Sequence, residues 1–383
     1  MKISGDWLQH EGTQVLCAVL EAAGFQALLV GGCVRNALLG EAIGDIDIAT
    51  DAAPEIVTEL VVRAGFRAIP TGIDHGTVTV IAGGRSHEVT SFRRDVETDG
   101  RHAMVAFGTS LTEDAARRDF TMNALYADRG GEVVDPLGGL PDLLARRLRF
   151  VGEAKARIRE DHLRILRFFR FLAWYGDPQQ GPDAEALAAC AALADGIDSL
   201  SRERIGAEMR KLLSSPDPAP AMGSMAAAGV LARFLPGANT AALAPLVHLE
   251  GAEPVRWLRR LAVIGGEALA ENLRLSRTEN VTVVQIRDAI CSTETPAILG
   301  WHLGQNTATD ALLARAAVLQ TPLPPEWQAG VLRGAKTGFP VKAADLPDLH
   351  GACLGQRLKV LQSRWLESDL RLSKPALLRG DGD

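Results

Sequence analysis

A change of period along the chain limits its fold more than any other feature. Up to Arg149, short strand and helix signals alternate; beyond it, nearly every segment repeats its apolar residues at helical spacing. "ALLVGG" (27–32) reads as a buried strand entering a glycine turn, and "VRNALLG" as a short helix stopped by Gly40. "DIDIAT" alternates like a strand, while "PEIVTELVVRAG" starts a helix at Pro54 and ends it at glycine. "GTVTVIAGGRSHEVTSF" (76–92) predicts two strands joined by "AGGR". The remainder, including "EAKARIREDHLRILRFFRFLAWYG", "DAEALAACAALADGI" and "SRERIGAEMRKLLSS", predicts helices. The fold class is therefore α+β, a head with a small mixed sheet followed by an all-helical extension. Proline-rich breaks at "SSPDPAP" (214–220) and "TPLPPEW" (321–327) divide that extension, and "GQRLKVLQSRWLESDLRL" predicts a last amphipathic helix. These signals give domains at 1–150, 151–215, 216–320 and 321–383, more than one core being expected for 383 residues.

No apolar run is long enough for a membrane span, and the N-terminal segment is broken by Asp6, His10 and Glu11, unlike a secretory signal. Five scattered cysteines without a CxxC pair predict reduced thiols, no zinc site and a cytoplasmic address. The net charge of −6 does not favour a nucleic-acid binder, yet "RRLRFVGEAKARIREDHLRILRFFR" (146–170) is densely basic. Such a tract either holds a polyanion or forms a solvated helix face.

Within "DIDIAT", Asp45 and Asp47 fall on one strand face, while Ile46 and Ile48 fall on the other. Two carboxylates so placed repel unless a cation sits between them. Mg2+ suits them, because it prefers oxygen ligands and leaves positions open for substrate phosphates. DxD also arises in ordinary surface turns. Here Gly31 and Gly32 lie just upstream, where bare backbone N–H groups can approach phosphate oxygens, and Arg35 follows with a planar fork. The same glycines would also serve a plain strand-to-helix turn. Glu88, in the second strand of the 76–92 hairpin, is a third carboxylate that could complete a metal shell or sit on an edge strand.

In "RRDFTMNALYAD" (117–128), Arg117, Arg118, Asp119 and Asn123 precede an apolar run. They suit a triphosphate and ribose hydroxyls, or a helix-terminal ion pair. "DPLGGLPDL" (135–143) has the composition of a turn or hinge. On the helix near Asp161, Ile165, Leu166, Phe168, Phe169 and Leu172 form a broad apolar face. Arg164, Arg167 and Arg170 climb the other face at about 300°, 240° and 180° from Asp161, with Leu163 and Phe171 as interruptions. Asp161 and Arg164 together offer an acceptor and a donor to the pairing edge of a base.

In this order the segments resemble the class II tRNA nucleotidyltransferases, which comprise bacterial CCA-adding enzymes and related poly(A) polymerases. The matching stretches are "GGCVRNALLG" with "DIDIAT", "HGTVTV" with "HEVTSFR", "RRDFTMNALYAD", "DPLGGLPDL", "EDHLRILRFFRF" and "RERIGAEMRKLL", spanning residues 31 to about 213. The resemblance implies a nucleotidyltransferase-type head at 1–150, a nucleotide-selecting neck at 151–215, and a helical body and tail that contact tRNA. It implies that Asp45 and Asp47 bind Mg2+, with Glu88 as third acidic residue. Gly31, Gly32, Arg35 and Arg118 would meet the nucleotide, with Asp119 and Asn123 near its ribose. Asp161 and Arg164 would select C or A, with Arg167 and Arg170 as further nucleotide contacts. The expected reaction is template-independent addition of C, C and A to the tRNA 3′ acceptor end from CTP and ATP, by two-metal transfer with release of pyrophosphate. No protein partner is implied.

Asn36 departs from the pattern, since the family often has Asp after the arginine; Asn keeps a hydrogen-bonding role but loses the charge. No HD phosphohydrolase pattern is present, so no hydrolase domain is expected. The rival readings are a poly(A) polymerase, a partial CC- or A-adding enzyme, a non-catalytic RNA-binding protein and a small-molecule nucleotidyltransferase. The first lacks its extra basic signature, with "AGGRSHEVTSF" in that neighbourhood, and the segment "RRDVETDGRH" (93–102), implicated in specificity switching, supports full CCA addition. Loss of a strand aspartate would have favoured the non-catalytic reading, and both are present. The last leaves the arginine-bearing helix and the helical extension unexplained.

Overall fold

The protein was analysed as a computed structural model, which describes residues 1–72, 76–99, 102–108 and 110–379. Gly100 and Arg101, within the 93–102 segment, lie outside the described residues. The chain divides into two compact units, Met1–Ser201 with Ser224–Arg233, and Arg202–Gly223 with Phe234–Asp383.

The first unit carries the strands β1 (Leu28–Val30), β2 (Ile46–Thr50), β3 (Arg67–Gly72), β4 (Thr77–Ala82), β5 (Arg85–Ser91), β6 (Arg93–Asp99), β7 (His102–Phe107), β8 (Tyr126–Ala127) and β9 (Val133–Val134). Its helices are α1 (Asp6–Gln9), α2 (Glu11–Ala22), α3 (Gly32–Leu39), α4 (Pro54–Arg63), α5 (Leu111–Ala116), α6 (Leu140–Leu144), α7 (Ala154–Glu160), α8 (Leu163–Tyr175) and α9 (Ala184–Ala192). Seven strands form one sheet in the order β3-β4-β5-β2-β1-β8-β9, and β6 and β7 pair separately. All neighbours in the large sheet run antiparallel except β2 and β5. That parallel pair joins segments far apart in sequence, a long-range pairing that local periodicity does not encode.

The strand–turn–helix at 28–39 and the 76–92 hairpin match their sequence signals, with β4 and β5 turning at Gly83 and Gly84. The basic tract is two helices, the second beginning just past Asp161, which is extended (φ −155°, ψ 108°), near where the sequence starts the arginine-bearing helix. Two segments differ. The 93–102 stretch enters a two-stranded ribbon. The apolar run after Asn123 is the short strand β8, preceded by a 3-10 turn at Thr121–Asn123. A two-residue strand has too few positions to show alternation.

Phe120 holds these pieces together. Its ring centroid lies 4.9 Å from Phe150 and 5.2 Å from Phe171, and Phe150 stacks on Phe168 at 5.7 Å. Because Phe120 directly follows Asp119, this aromatic core fixes the backbone from which Asp119 and Asn123 project. Contacts of this kind add about 0.5–1.5 kcal/mol each beyond area burial.

The second unit is helical among its described residues, beginning with α10 (Arg202–Leu213). Its long helix Pro296–Leu319 bends at Gly304, whose φ of +73° suits only glycine without strain. Helix Gly351–Glu367 buries Leu361 and Trp365 as its amphipathic pattern requires, but it is not the last, since Lys374–Leu378 follows. No local pattern marks the buried ion network of this unit. Arg259 bonds Glu250 at 2.8 Å and Asp310 at 3.1 Å, and Arg260 bonds Glu250 at 2.6 Å. Arg260 also donates to the carbonyls of Leu213, Ser215 and Pro216, satisfying the end of α10.

Candidate active site

Asp47 and Glu88 are register partners on the parallel strands β2 and β5, so their side chains share one face. Ile46 and Ile48 are buried on the opposite face, which turns Asp47 outward. Asp45 sits in the bend just before β2 and is exposed. Burial pushes the Asp47 carboxyl up to about 6, with Glu88 and Asp45 adding to the rise and Arg118 and Arg35 opposing it. These five residues therefore lie within electrostatic reach of one another. Among the described residues no three carboxylate, imidazole or thiol groups form a ready-made metal cage. The donor set is an open carboxylate pair under mutual repulsion. That suits a hard divalent cation completed by water and phosphate oxygens.

Beside the carboxylates lies the turn from β1 into α3. Gly31 has φ +67°, and a Cβ built there would come within 3.5 Å of Arg118 Nη1. A Cβ on Gly32 would come within 3.8 Å of Arg35 Nη2. The bare turn is thus flanked by two guanidinium groups. Arg118 is paired with Asp114 at 2.9 Å and donates to the Tyr126 hydroxyl at 3.0 Å, and that hydroxyl donates to Asp114 at 2.7 Å.

Arg35 differs. Only 6% exposed, it donates to Asn123 Oδ1 (2.5 Å), Asn36 Oδ1 (2.8 Å) and the Tyr175 hydroxyl (2.7 Å). Among the described residues these hydrogen-bond partners are all neutral. Burial lowers its affinity for its proton, with Arg170 adding to the fall and Tyr175 and Asp119 opposing it only in part. A buried guanidinium held this way beside a glycine turn is matched to an anion.

Asn123 and Asp119 work on this arginine rather than standing open toward a ligand. Asn123 Nδ2 donates to Asp119 Oδ1 at 3.0 Å, and Arg167 ion-pairs with Asp119 Oδ2, its Nε lying 2.8 Å away. Burial alone would raise the Asp119 carboxyl. Arg167, Asn123 and the Phe120 amide outweigh it and hold the group below the usual carboxylate range. A relay thus runs from Arg35 in α3 through Asn123 and Asp119 to Arg167 in α8.

The arginines of α8 are half-buried against the first unit rather than forming a solvated face. Arg164 pairs with Glu160 at 2.5 Å and donates to the Arg157 carbonyl at 2.9 Å. Asp161 turns back to accept the Leu163 amide at 3.0 Å, starting α8. Phe171, an interruption in the arginine ridge by sequence, gathers that ridge. The guanidinium carbons of Arg170, Arg35 and Arg167 lie 4.6, 5.2 and 5.5 Å from its ring centroid.

Sequence reasoning missed Asp114, Tyr126 and Tyr175. Asp114 could have been found, because it precedes Arg117 and Arg118 by three and four residues, the spacing of helical ion pairs. The tyrosines carry no local signal; their roles arise from partners 8 and 140 residues away.

Residues 27–149 match the family model for the poly A polymerase head domain, and residues 182–241 match the probable RNA and SrmB-binding site of polymerase A. The chain is 37% identical to the CCA-adding enzyme of Geobacillus thermodenitrificans over 310 residues, 80% of this chain and 70% of that protein. It is 42% identical over 205 residues to the mitochondrial CCA tRNA nucleotidyltransferase 1 of Mus musculus, covering 53% of this chain and 47% of that one. The fold superposes on the crystal structure of the Bacillus stearothermophilus CCA-adding enzyme in complex with CTP. That superposition has a TM-score of 0.72 at 30% identity and covers 94% of this chain and 93% of that one.

Proposed function

The chain belongs to the class II tRNA nucleotidyltransferases, the family of the CCA-adding enzymes, and we propose that its reaction takes place where the Gly31–Gly32 turn meets Asp45, Asp47 and Glu88. The activity is template-independent addition of C, C and A to the 3′ end of tRNA from CTP and ATP, with release of pyrophosphate. The buried Arg35 guanidinium, held by neutral oxygens beside a glycine turn and a repelling carboxylate pair, carries the assignment of the site.

In this assignment the nucleotide's phosphates lie over the Gly31–Gly32 turn between Arg35 and Arg118. Arg35 supplies charge without a competing carboxylate, while Arg118 is fixed by Asp114 and Tyr126. Asp119 and Asn123 hold Arg35 and Arg167 in place on the ribose side of the nucleotide. Asp161 and Arg164 face the base, and Arg170 joins Arg167 around Phe171. Asp45 and Asp47 would hold the divalent metal on which the family depends, which we assign as Mg2+, with Glu88 shaping the field around Asp47. When bound, a pair of such ions supplies Lewis-acid stabilisation to the phosphates and to the attacking 3′ hydroxyl. Residues 1–150 serve as catalytic head, 151–215 as neck, 216–320 as body and 321–383 as tail along the tRNA. Among the described residues no helix is long and apolar enough to cross a membrane.

The test uses tRNA transcripts ending before CCA, after C and after CC, each with CTP, ATP or both, resolved to single nucleotides. Two C additions followed by one A and a stop are expected. A C-only or A-only product marks a partial enzyme, and a long A ladder a poly(A) polymerase. Asp47→Asn is expected to lower kcat by at least about 100-fold, the scale of losing one preorganised electrostatic group. Full activity in that variant would refute the site.

A further inference from the structure

The chain contains only two tyrosines, and each places its hydroxyl and ring on one of the two guanidinium groups flanking the glycine turn. Tyr126 belongs to the sheet and shares Arg118 with Asp114, so that arginine keeps a carboxylate partner without it. Tyr175 is the last residue of α8 and reaches Arg35 from outside the sheet. The Arg35 guanidinium carbon lies 3.9 Å from the Tyr175 ring centroid, and Nη2 donates to the hydroxyl at 2.7 Å. Phe171, one helical turn earlier, presents a second ring at 5.2 Å.

We propose that Tyr175 is a positioning residue that sets the Arg35 guanidinium for the phosphates of the incoming nucleotide. The inference rests on the reading of Arg35 as a phosphate contact. Asn36 holds Arg35 by Nε and Nη2 and Asn123 holds it by Nη1, so the asparagines grip the edges of the fork and neither covers its face. The Tyr175 ring centroid, 3.9 Å from the guanidinium carbon, adds a contact that neither asparagine makes. An aromatic face and a hydroxyl oxygen attract a cation without neutralising it. A carboxylate in the same place would fix the arginine equally well but would compete with phosphate for it. Tyr175 therefore orders a buried cation and keeps its charge for the ligand. Because it ends the helix that also bears Arg164, Arg167 and Arg170, it ties the phosphate end of the site to the helix that meets the base.

Tyr175→Phe, Tyr175→Leu and Arg35→Ala in the full chain are compared with the parent protein. The readouts are KM and kcat for CTP and ATP, and calorimetric binding of inorganic tripolyphosphate. Loss of one hydrogen bond to a charged group, taken at the low end of its range, predicts that Tyr175→Phe raises KM for both nucleotides by about tenfold, with kcat within about twofold. Loss of the ring as well predicts an increase of about thirtyfold in Tyr175→Leu, so phenylalanine rescues part of the effect. Tripolyphosphate binding should weaken in the same order. Weak binding in Arg35→Ala with parental binding in Tyr175→Leu would overturn the proposal for the tyrosine alone. Parental KM and tripolyphosphate binding in Arg35→Ala would overturn the phosphate reading of the arginine, and the proposal with it. A fall in kcat and melting temperature in Tyr175→Leu without a change in KM would make the tyrosine a packing residue and also overturn the proposal.

Discussion

Asp119 joins stability to function, and its removal should show both. The carboxylate is 8% exposed and accepts from the Phe120 amide, Asn123 Nδ2 and the Arg167 guanidinium. Asp119→Asn keeps an oxygen for the first two partners but removes the charge opposite Arg167. A hydrogen bond to a charged group contributes about 1.5–3 kcal/mol. The Arg167 side chain is 32% exposed and can recover water, which reduces the expected loss to about 1–2 kcal/mol. Asp119→Ala strips every acceptor and should cost about 3–5 kcal/mol, as for a broken buried pair. At about 2–4 °C per kcal/mol for a unit of this size, the first variant melts about 2–8 °C lower by calorimetry and the second about 6–20 °C lower. The folded-state carboxyl lies below its ordinary value, so its stabilisation is complete above the unfolded value of about 3.9 and is lost as pH falls through the folded value. Urea midpoints for the parent and Asp119→Asn should therefore differ by a constant amount from pH 8 to 5 and converge below about pH 4. A gap that persists unchanged to pH 3, or an asparagine variant as stable as the parent at pH 7, would refute the reasoning.

Two further outcomes follow from the two units. Glu250→Gln takes the carboxylate from Arg260, 1% exposed, and leaves Arg259, 0% exposed, with Asp310 alone, and should destabilise the second unit by about 3–5 kcal/mol. A melting shift below about 2 °C would show that the network contributes little. Burial pushes the Asp47 carboxyl up to about 6, and a carboxylate proposed as a metal ligand must be deprotonated, so apparent affinity for a divalent cation should fall up to about tenfold per pH unit below that value. Metal half-saturation that does not change between pH 5 and 7 would contradict it.

Local pattern in the sequence is enough for the α+β class, the turn at Gly31–Gly32, the strand bearing Asp47 and the hairpin bearing Glu88. Each is written in local terms, as glycine where φ is positive or as alternation along a strand. Its picture of Arg164, Arg167 and Arg170 as the face opposite the apolar one held for the helix alone, since periodicity shows which residues share a face but not what covers it. The tertiary structure decided that β2 and β5 run side by side, which sets Glu88 against Asp47 across 41 residues. It also decided that Asp119 and Asn123 serve the arginines, that Tyr175 reaches Arg35, and that the Arg259–Glu250–Asp310 network closes inside the second unit. These are contacts between groups far apart in the chain. The partner of a charged or aromatic side chain is chosen by packing, and no pattern within a short window of sequence records that choice.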